Sequence, residues 1–309
     1  MKYAIIFPGQ GSQSLGMLSD LADNFPIVKD TFSEASDVLG FDLWALTQED
    51  QDALNQTQNT QPAMLAAGYA TYLALTSKND LSPVCMAGHS LGEYTALVAS
   101  GALGFSDGIK LVRKRAELMQ SAVPAGVGAM AAILGLDDET VVKVCANYAG
   151  EGIVEAVNFN SSGQVVIAGN KVAVDTTCEA MKAAGAKRAV VLPVSVPSHC
   201  SLMDEAAQEF SKAVNAVEFN MGKVDVLHNF DAAKATDTDD MKANLVAQLH
   251  KPVLWTGTVQ AMHAMGIEKL IESGPGKVLT GLTRRIEKSL TANAVLDSAS
   301  IAATLEEIE

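Results

Sequence analysis

Residues 2–7 (KYAIIF) form a short apolar run cut off by Pro8-Gly9. Such a block, ended by turn residues, predicts a buried strand running into a tight loop. Helical periodicity follows over 18–39 and again over 61–77. Thr60-Gln61-Pro62 marks the second start, because proline suits a first helical turn. The block 83–88 (PVCMAG) predicts another strand, followed by Gly88-His89-Ser90-Leu91-Gly92 and a helix through Ser100. An amphipathic helix fits 106–121, with Ser106 as its N-cap.

The pattern then changes. Residues 130–136 predict a strand and 137–149 a helix with acidic residues in its first turn. Two strands at 153–159 and 164–169 are joined through Asn160-Ser161-Ser162-Gly163. A helix over 172–185 stops at Gly185, and 188–195 is a last strand. The order β-α-β-β-α-β is the ferredoxin-like arrangement. The expected architecture is therefore α/β: a small ferredoxin-like domain over 124–194 inserted into one larger α/β domain made of 1–123 and 195–309. In the second flank, 223–229 and 267–273 predict strands, and 201–216 and 238–249 predict helices.

Composition narrows the function classes. Of 309 residues, 48% are hydrophobic and 19% charged, ample for a buried core and against disorder as the overall state. Lys+Arg 22 against Asp+Glu 36 leaves a net charge of −14, which disfavours nucleic acid as a partner. No segment reaches the ~18 apolar residues of a membrane span. The uncharged stretch Ala122 to Leu136 is broken by Pro124, Gly126, Gly128 and Gly135. The apolar run at the N-terminus is too short for a signal peptide. Cys85, Cys145, Cys178 and Cys200 are scattered with no CxxC, as expected of reduced core thiols in a cytoplasmic protein. The histidines show no HExxH or paired spacing, so no metal site is expected.

Gly88-His89-Ser90-Leu91-Gly92 fits GxSxG between a predicted strand and a predicted helix, the context of a nucleophile elbow. The glycines let the chain turn sharply and expose the Ser90 hydroxyl. Glu93 stands at the spacing of a capping box with Ser90. The bland alternative is an N-cap serine between chance glycines, and the strand–turn–helix context argues against it. A nucleophilic serine needs an oxyanion hole and a base. The Leu91 amide is one natural donor. The loop 7–13 (FPGQGSQ) is the best source of the other, since its glycines permit close backbone approach. This loop lacks the GK[ST] of a P-loop and the third glycine of a dinucleotide fingerprint.

Among the histidines, His89 adjoins Ser90 and should point away from its hydroxyl. His250 and His263 fall in or near helices. His199 follows an uncharged run past Pro193 and Pro197, on a loop after a strand, and leads His228 as the base. No acidic residue stands out as a third member, so a backbone carbonyl or an amide is left to orient the ring.

Within 106–121, Leu111, Val112, Leu118 and Met119 form an apolar stripe, with Lys110, Arg113, Lys114 and Glu117 on the polar face. Arg115 falls on the stripe. A buried guanidinium should meet a carboxylate. That carboxylate is either an Asp or Glu of the chain, in a structural ion pair, or the free carboxylate of an acyl group, held bidentately.

Taken together, FPGQGSQ (7–13), QPA (61–63), GHSLGEYTAL (88–97), LVRKRAELMQ (111–120), GAMAAILG (128–135), VPSHC (196–200), QLHKPVLWT (248–256) and ESGPGKVLTGL (272–282) resemble the malonyl-CoA:acyl carrier protein transacylases, in the family's order and over almost the whole chain. The resemblance implies an α/β-hydrolase-like core with a ferredoxin-like insert, and transfer of malonyl units for fatty-acid synthesis. It implies Ser90 as nucleophile, His199 as base, the amides of Gln10 and Leu91 as oxyanion hole, and Arg115 as the holder of the malonyl carboxylate. It further implies Gln248 as the residue whose main-chain carbonyl orients the histidine. The reaction it implies is ping-pong and requires no metal or redox cofactor. The implied partners are malonyl-CoA and an acidic acyl carrier protein, which needs local positive charge for docking. Candidates are Lys187, Arg188, Lys277, Arg284, Arg285 and Lys288. Two rival readings remain at this stage: a serine esterase or thioesterase on a related fold, and a non-catalytic ligand-binding regulator.

Overall fold

The computed structural model describes residues 1–77, 79–124, 126–194 and 196–308. Its strands are β1 (Tyr3–Phe7), β2 (Met86–Gly88), β3 (Gly128–Leu134), β4 (Val154–Ser161), β5 (Gln164–Asn170), β6 (Arg188–Val191), β7 (Val226–Leu227), β8 (Lys269–Ser273) and β9 (Thr291–Val295). They form a five-stranded sheet in the order β7-β2-β1-β8-β9 and a four-stranded sheet in the order β4-β5-β3-β6. All pairings in the first are parallel, and all in the second are antiparallel.

The unbroken apolar run at β1 has a physical reason: β1 is central in its sheet and buried along its whole length. Tyr3, Ile5 and Phe7 face one core, with the helices Thr57–Thr76 and Gly92–Ser100. Ala4 and Ile6 face the other, with Trp255, Val259 and Met262. Helices thus cover both faces of the parallel sheet.

The antiparallel sheet comes from the contiguous order strand-helix-strand-strand-helix-strand over 128–191. Its helices Asp138–Ala146 and Lys171–Ala183 cover one face around Ala131, Ile133, Val165 and Ile167. The other face turns Met130, Val157, Val166 and Ala168 toward Cys200 and the rest of the molecule. Backbone bonds between β4 and Val253, and the Arg285 to Gln164 side-chain bond, tie the two sheets together.

Several expectations need correction. The pattern at 18–39 is two helices, Ser19–Asn24 and Ile27–Leu39, interrupted at Phe25-Pro26. The next long helix starts at Thr57, so Pro62 lies inside it rather than in its first turn. The carbonyl that Pro62 cannot bond, that of Gln58, accepts from Arg113 Nη1 at 3.2 Å. Ser106 is not an N-cap: the helix runs Phe105–Ala122 after Gly104, and Ser106 Oγ donates to Glu34. The strand expected over 188–195 ends at Val191, before Pro193. Its last residue, Ser195, at which the expected domain boundary also falls, lies outside the described residues. The strand at 223–229 shrinks to β7. The helices Trp255–Ala264, Val278–Ile286 and Ser298–Ile308, and β9, were not predicted by the pattern.

Among the described residues no helix is long and apolar enough to cross a membrane, and no cluster could hold a metal ion. The four cysteines are buried and free, and burial pushes Cys85, Cys145 and Cys200 up to about 12.

Candidate active site

β1 and β2 are adjacent and parallel, so the loops leaving their C-terminal ends meet. The His89 amide donates to the Phe7 carbonyl at 3.0 Å, locking the two loops. Gly92 is dictated by this contact: a Cβ there would stand 2.1 Å from the Phe7 oxygen. Gly88 is equally constrained, since its Cβ would fall 1.9 Å from the Gly92 carbonyl carbon. Between them Ser90 takes φ 50°, the left-handed region, at the tip of the turn.

Ser90 Oγ lies 2.8 Å from His199 Nε2. The other ring nitrogen, Nδ1, is 2.6 Å from the main-chain oxygen of Gln248. A carbonyl only accepts, so Nδ1 carries the proton and Nε2 presents its lone pair to the serine. His199 itself sits at φ 67°, held by its amide bond to the Leu249 carbonyl. Burial, aided by the nearby Arg115 charge, lowers its pKa to about 3. The imidazole is therefore neutral at any ordinary pH, with the Nε2 lone pair free.

Arg115 is 1% exposed, as its place on the apolar stripe requires. Nη1 donates to Gln61 Oε1 at 2.9 Å, and Nη2 to Gln248 Oε1 at 2.9 Å and to Ser90 Oγ at 3.2 Å. The guanidinium also lies over the Tyr94 ring, 5.5 Å from its centroid. The structural ion pair is not found: among the described residues none of the salt bridges involves Arg115, and its Nε has no partner. Every bond the guanidinium makes in the chain is to a neutral oxygen.

Gln10, Leu91, Ser90, Arg115 and His199 line one cavity of about 130 Å3. The amides of Gln10 and Leu91 have no acceptor among the described residues, which leaves both free for a ligand oxygen. Met130, Leu192 and Val194 close the cavity from the side of the antiparallel sheet.

Glu93 does not close a capping box with Ser90. Its carboxylate, 0% exposed, accepts from His228 Nδ1 at 2.7 Å, the Asn229 amide at 3.0 Å and Gln248 Nε2 at 2.8 Å. His228, the alternative base, is thereby committed to Glu93 rather than to the serine. His89 points away from Ser90 and reaches Asn160 at 2.8 Å, while His250 pairs with Asp204.

The pattern did not single out Asn229 and Gln61. Asn229 Oδ1 takes the Ser90 amide at 2.6 Å and its Nδ2 holds the Gly88 carbonyl at 2.6 Å, bracing the elbow from the end of β7. The docking candidates are all exposed. Lys187 and Arg285 line one surface groove, and Arg284 and Lys288 another.

Comparison with known proteins adds a separate line. The acyl transferase domain family model matches residues 4–306. The malonyl CoA-acyl carrier protein transacylase of Escherichia coli (strain K12) is 52% identical over 306 residues, covering 99% of each chain. That of Staphylococcus aureus (strain MRSA252) is 40% identical, covering 95% of each. Among solved structures, an acyl carrier protein S-malonyltransferase from Vibrio cholerae superposes with a TM-score of 0.96 at 55% identity, covering 98% of this chain and 100% of that one. A malonyl-transacylase in complex with its type II PKS acyl-carrier protein gives 0.98 at 51% identity, covering 99% of this chain and 100% of that one.

Proposed function

This chain belongs to the acyl transferase domain family, and from that premise we propose that it moves a malonyl group from malonyl-CoA to the phosphopantetheine thiol of acyl carrier protein, for fatty-acid synthesis. In the first half-reaction His199 Nε2 takes the Ser90 proton as Oγ attacks the thioester carbonyl. The amides of Gln10 and Leu91 hold the tetrahedral oxyanion. Collapse expels the CoA sulfur, which takes the proton from His199 and leaves a malonyl ester on Ser90. In the second half-reaction the carrier thiol gives its proton to His199 and attacks that ester, and Ser90 recovers its proton. The Gln248 carbonyl keeps the His199 tautomer fixed throughout. The steps move only protons and an acyl group and call on no metal or redox cofactor.

The observation that carries the malonyl assignment is Arg115: a buried cation 3.2 Å from the nucleophile, with neutral partners and an unused Nε. A carboxylate-bearing acyl group supplies what the chain withholds. A serine esterase would use the same Ser90–His199 pair but has no need of a charged group against the acyl end.

The strand order and the covered faces support a domain reading as well. We take 1–123 and 195–309 as an α/β-hydrolase-like catalytic domain, 124–194 as a ferredoxin-like insert, and the cytoplasm as the location. Intact mass spectrometry after mixing with malonyl-CoA tests the central claim. The wild type should gain one malonyl group and Ser90→Ala none; an adduct that persists on Ser90→Ala rejects the nucleophile.

A further inference from the structure

Gln248 is the hub of the buried site. Its main-chain oxygen takes His199 Nδ1, its Oε1 takes Arg115, and its Nε2 donates to both the Ser90 carbonyl and Glu93 Oε2. Which end of this amide faces Arg115 is decided by what the other end meets. Two acceptors, one of them the Glu93 carboxylate, surround Nε2 at 2.8 Å each. A flipped amide would set oxygen against oxygen there and place an NH2 against the guanidinium, two donors facing each other.

Glu93 is itself fixed. His228 Nδ1 bonds its Oε1 and the Asn229 amide donates to its Oε2, and all three side chains are fully buried. Arg115 and Glu93 thus form a cation and a carboxylate in one dry cluster that never touch, with the Gln248 amide bonded to both. Direct pairing would satisfy the guanidinium and close it to a ligand. Complete absence of a counter-charge would leave a buried cation unsupported.

We propose that Glu93, clamped by His228 and Asn229, is a positioning residue that orients the Gln248 amide and supplies the counter-charge of Arg115 at one remove, so that the guanidinium is held rigidly yet left open for the acyl carboxylate. This inference rests on the proposed malonyl reading. It assigns to Glu93 the acyl selectivity of the site rather than its chemistry. His199 is oriented by the main-chain carbonyl of Gln248, whereas Glu93 bonds the side-chain amide of that residue.

The test compares malonyl-CoA with acetyl-CoA, which has no carboxylate for Arg115 to hold. Glu93→Gln keeps the shape but removes the charge and one of the two acceptor oxygens. It should lower kcat/KM for malonyl-CoA about ten-fold or more beyond any fall for acetyl-CoA, chiefly through KM. Glu93→Asp, which keeps the charge at shorter reach, should recover part of the preference. If Glu93→Gln does not fold, Gln248→Met is read in its place, since it removes the amide and keeps the main-chain carbonyl. A parallel fall for both thioesters, or an unchanged ratio, overturns the positioning role. The wild-type malonyl adduct on Ser90 is measured alongside. Its absence rejects the malonyl reading and this inference with it; its presence with an unchanged ratio rejects the inference alone.

Discussion

Arg115 Nη2 donates to the Ser90 hydroxyl oxygen across 3.2 Å. The serine proton is thereby directed the other way, to His199 Nε2 at 2.8 Å. The proposed recognition group and the proposed nucleophile are therefore in contact before any substrate arrives. A carboxylate that draws the guanidinium toward itself also changes the surroundings of Oγ.

Arg115→Ala should accordingly alter acyl choice more than chemistry. Loss of a charge-assisted pair costs ~1.5–3 kcal/mol, roughly ten- to hundred-fold in kcat/KM for malonyl-CoA. Acetyl transfer should stay level or improve. The measurement is kcat/KM for both thioesters in a variant whose melting has been checked, and a parallel fall in the two values sinks the carboxylate clamp.

The His199 environment makes a pH prediction of definite sign. With its pKa lowered to about 3, the native imidazole stays unprotonated where an ordinary histidine, near 6.5, takes up a proton. Initial-rate profiles of kcat/KM should then show no acidic limb centred near pH 6.5; a break at that value contradicts the burial argument. Stability runs the other way. The unfolded chain binds a proton below 6.5 that the native chain refuses, so stability falls as pH drops through this window, by about 2 kcal/mol at pH ~5. His199→Ala should lose less stability between pH 8 and 5 than the wild type does, as urea melts at the two pH values would reveal.

Two glycines should respond in opposite ways to the same methyl group. At Gly92 a Cβ meets the Phe7 carbonyl oxygen at 2.1 Å and the Pro8 oxygen at 3.0 Å, with backbone on both sides. Gly92→Ala should cost more than ~4 kcal/mol and yield insoluble or early-melting protein. At Gly281, in the exposed face of the helix Val278–Ile286, a Cβ meets nothing within 4 Å. Gly281→Ala should stabilise by up to ~1 kcal/mol through helix propensity. Calorimetric melting of the pair decides both.

An acidic carrier protein approaching a chain of net charge −14 needs positive charge gathered locally. Four of the candidates line two grooves, Arg284 and Lys288 in one and Lys187 and Arg285 in the other. Reversing Arg284 and Lys288 tests one surface, and reversing Lys187 and Arg285 tests the other. The docking groove should raise KM for carrier protein while sparing KM for malonyl-CoA; unchanged carrier kinetics in both doubles removes these residues from the docking surface.

Legibility in the sequence followed locality. Ser90 stood out because turn glycines and a strand–helix junction are short-range signals. Arg115 stood out because a charge on an apolar stripe breaks a local rule. Glu93 satisfies a local rule, the capping-box spacing, and that rule misleads: its partners His228, Asn229 and Gln248 come from the loop after β7 and a distant helix. Asn229 was invisible for the same reason, acting on Ser90 across 139 positions. Pro62 misled because the long-range Arg113 bond to the Gln58 carbonyl offsets what a proline normally costs a helix. β9 (TANAV) and the helix Trp255–Ala264 (WTGTVQAMHA) escaped notice through weak intrinsic signals, alanine and asparagine in the strand, threonine and glycine in the helix. Both are fixed by docking on the parallel sheet.

Ser90 and His199 share one further property, a left-handed backbone at φ 50° and φ 67°. Side chains resist this region, at a cost of about 1–3 kcal/mol per residue, and glycine enters it freely. Glycine at either position would relax the backbone and delete the proposed nucleophile or base in the same step. The pair is thus exposed to a conflict between selection for robustness and selection for turnover. A library ranked by melting temperature alone would drift toward glycine at these two sites and fill with well-folded, inert chains.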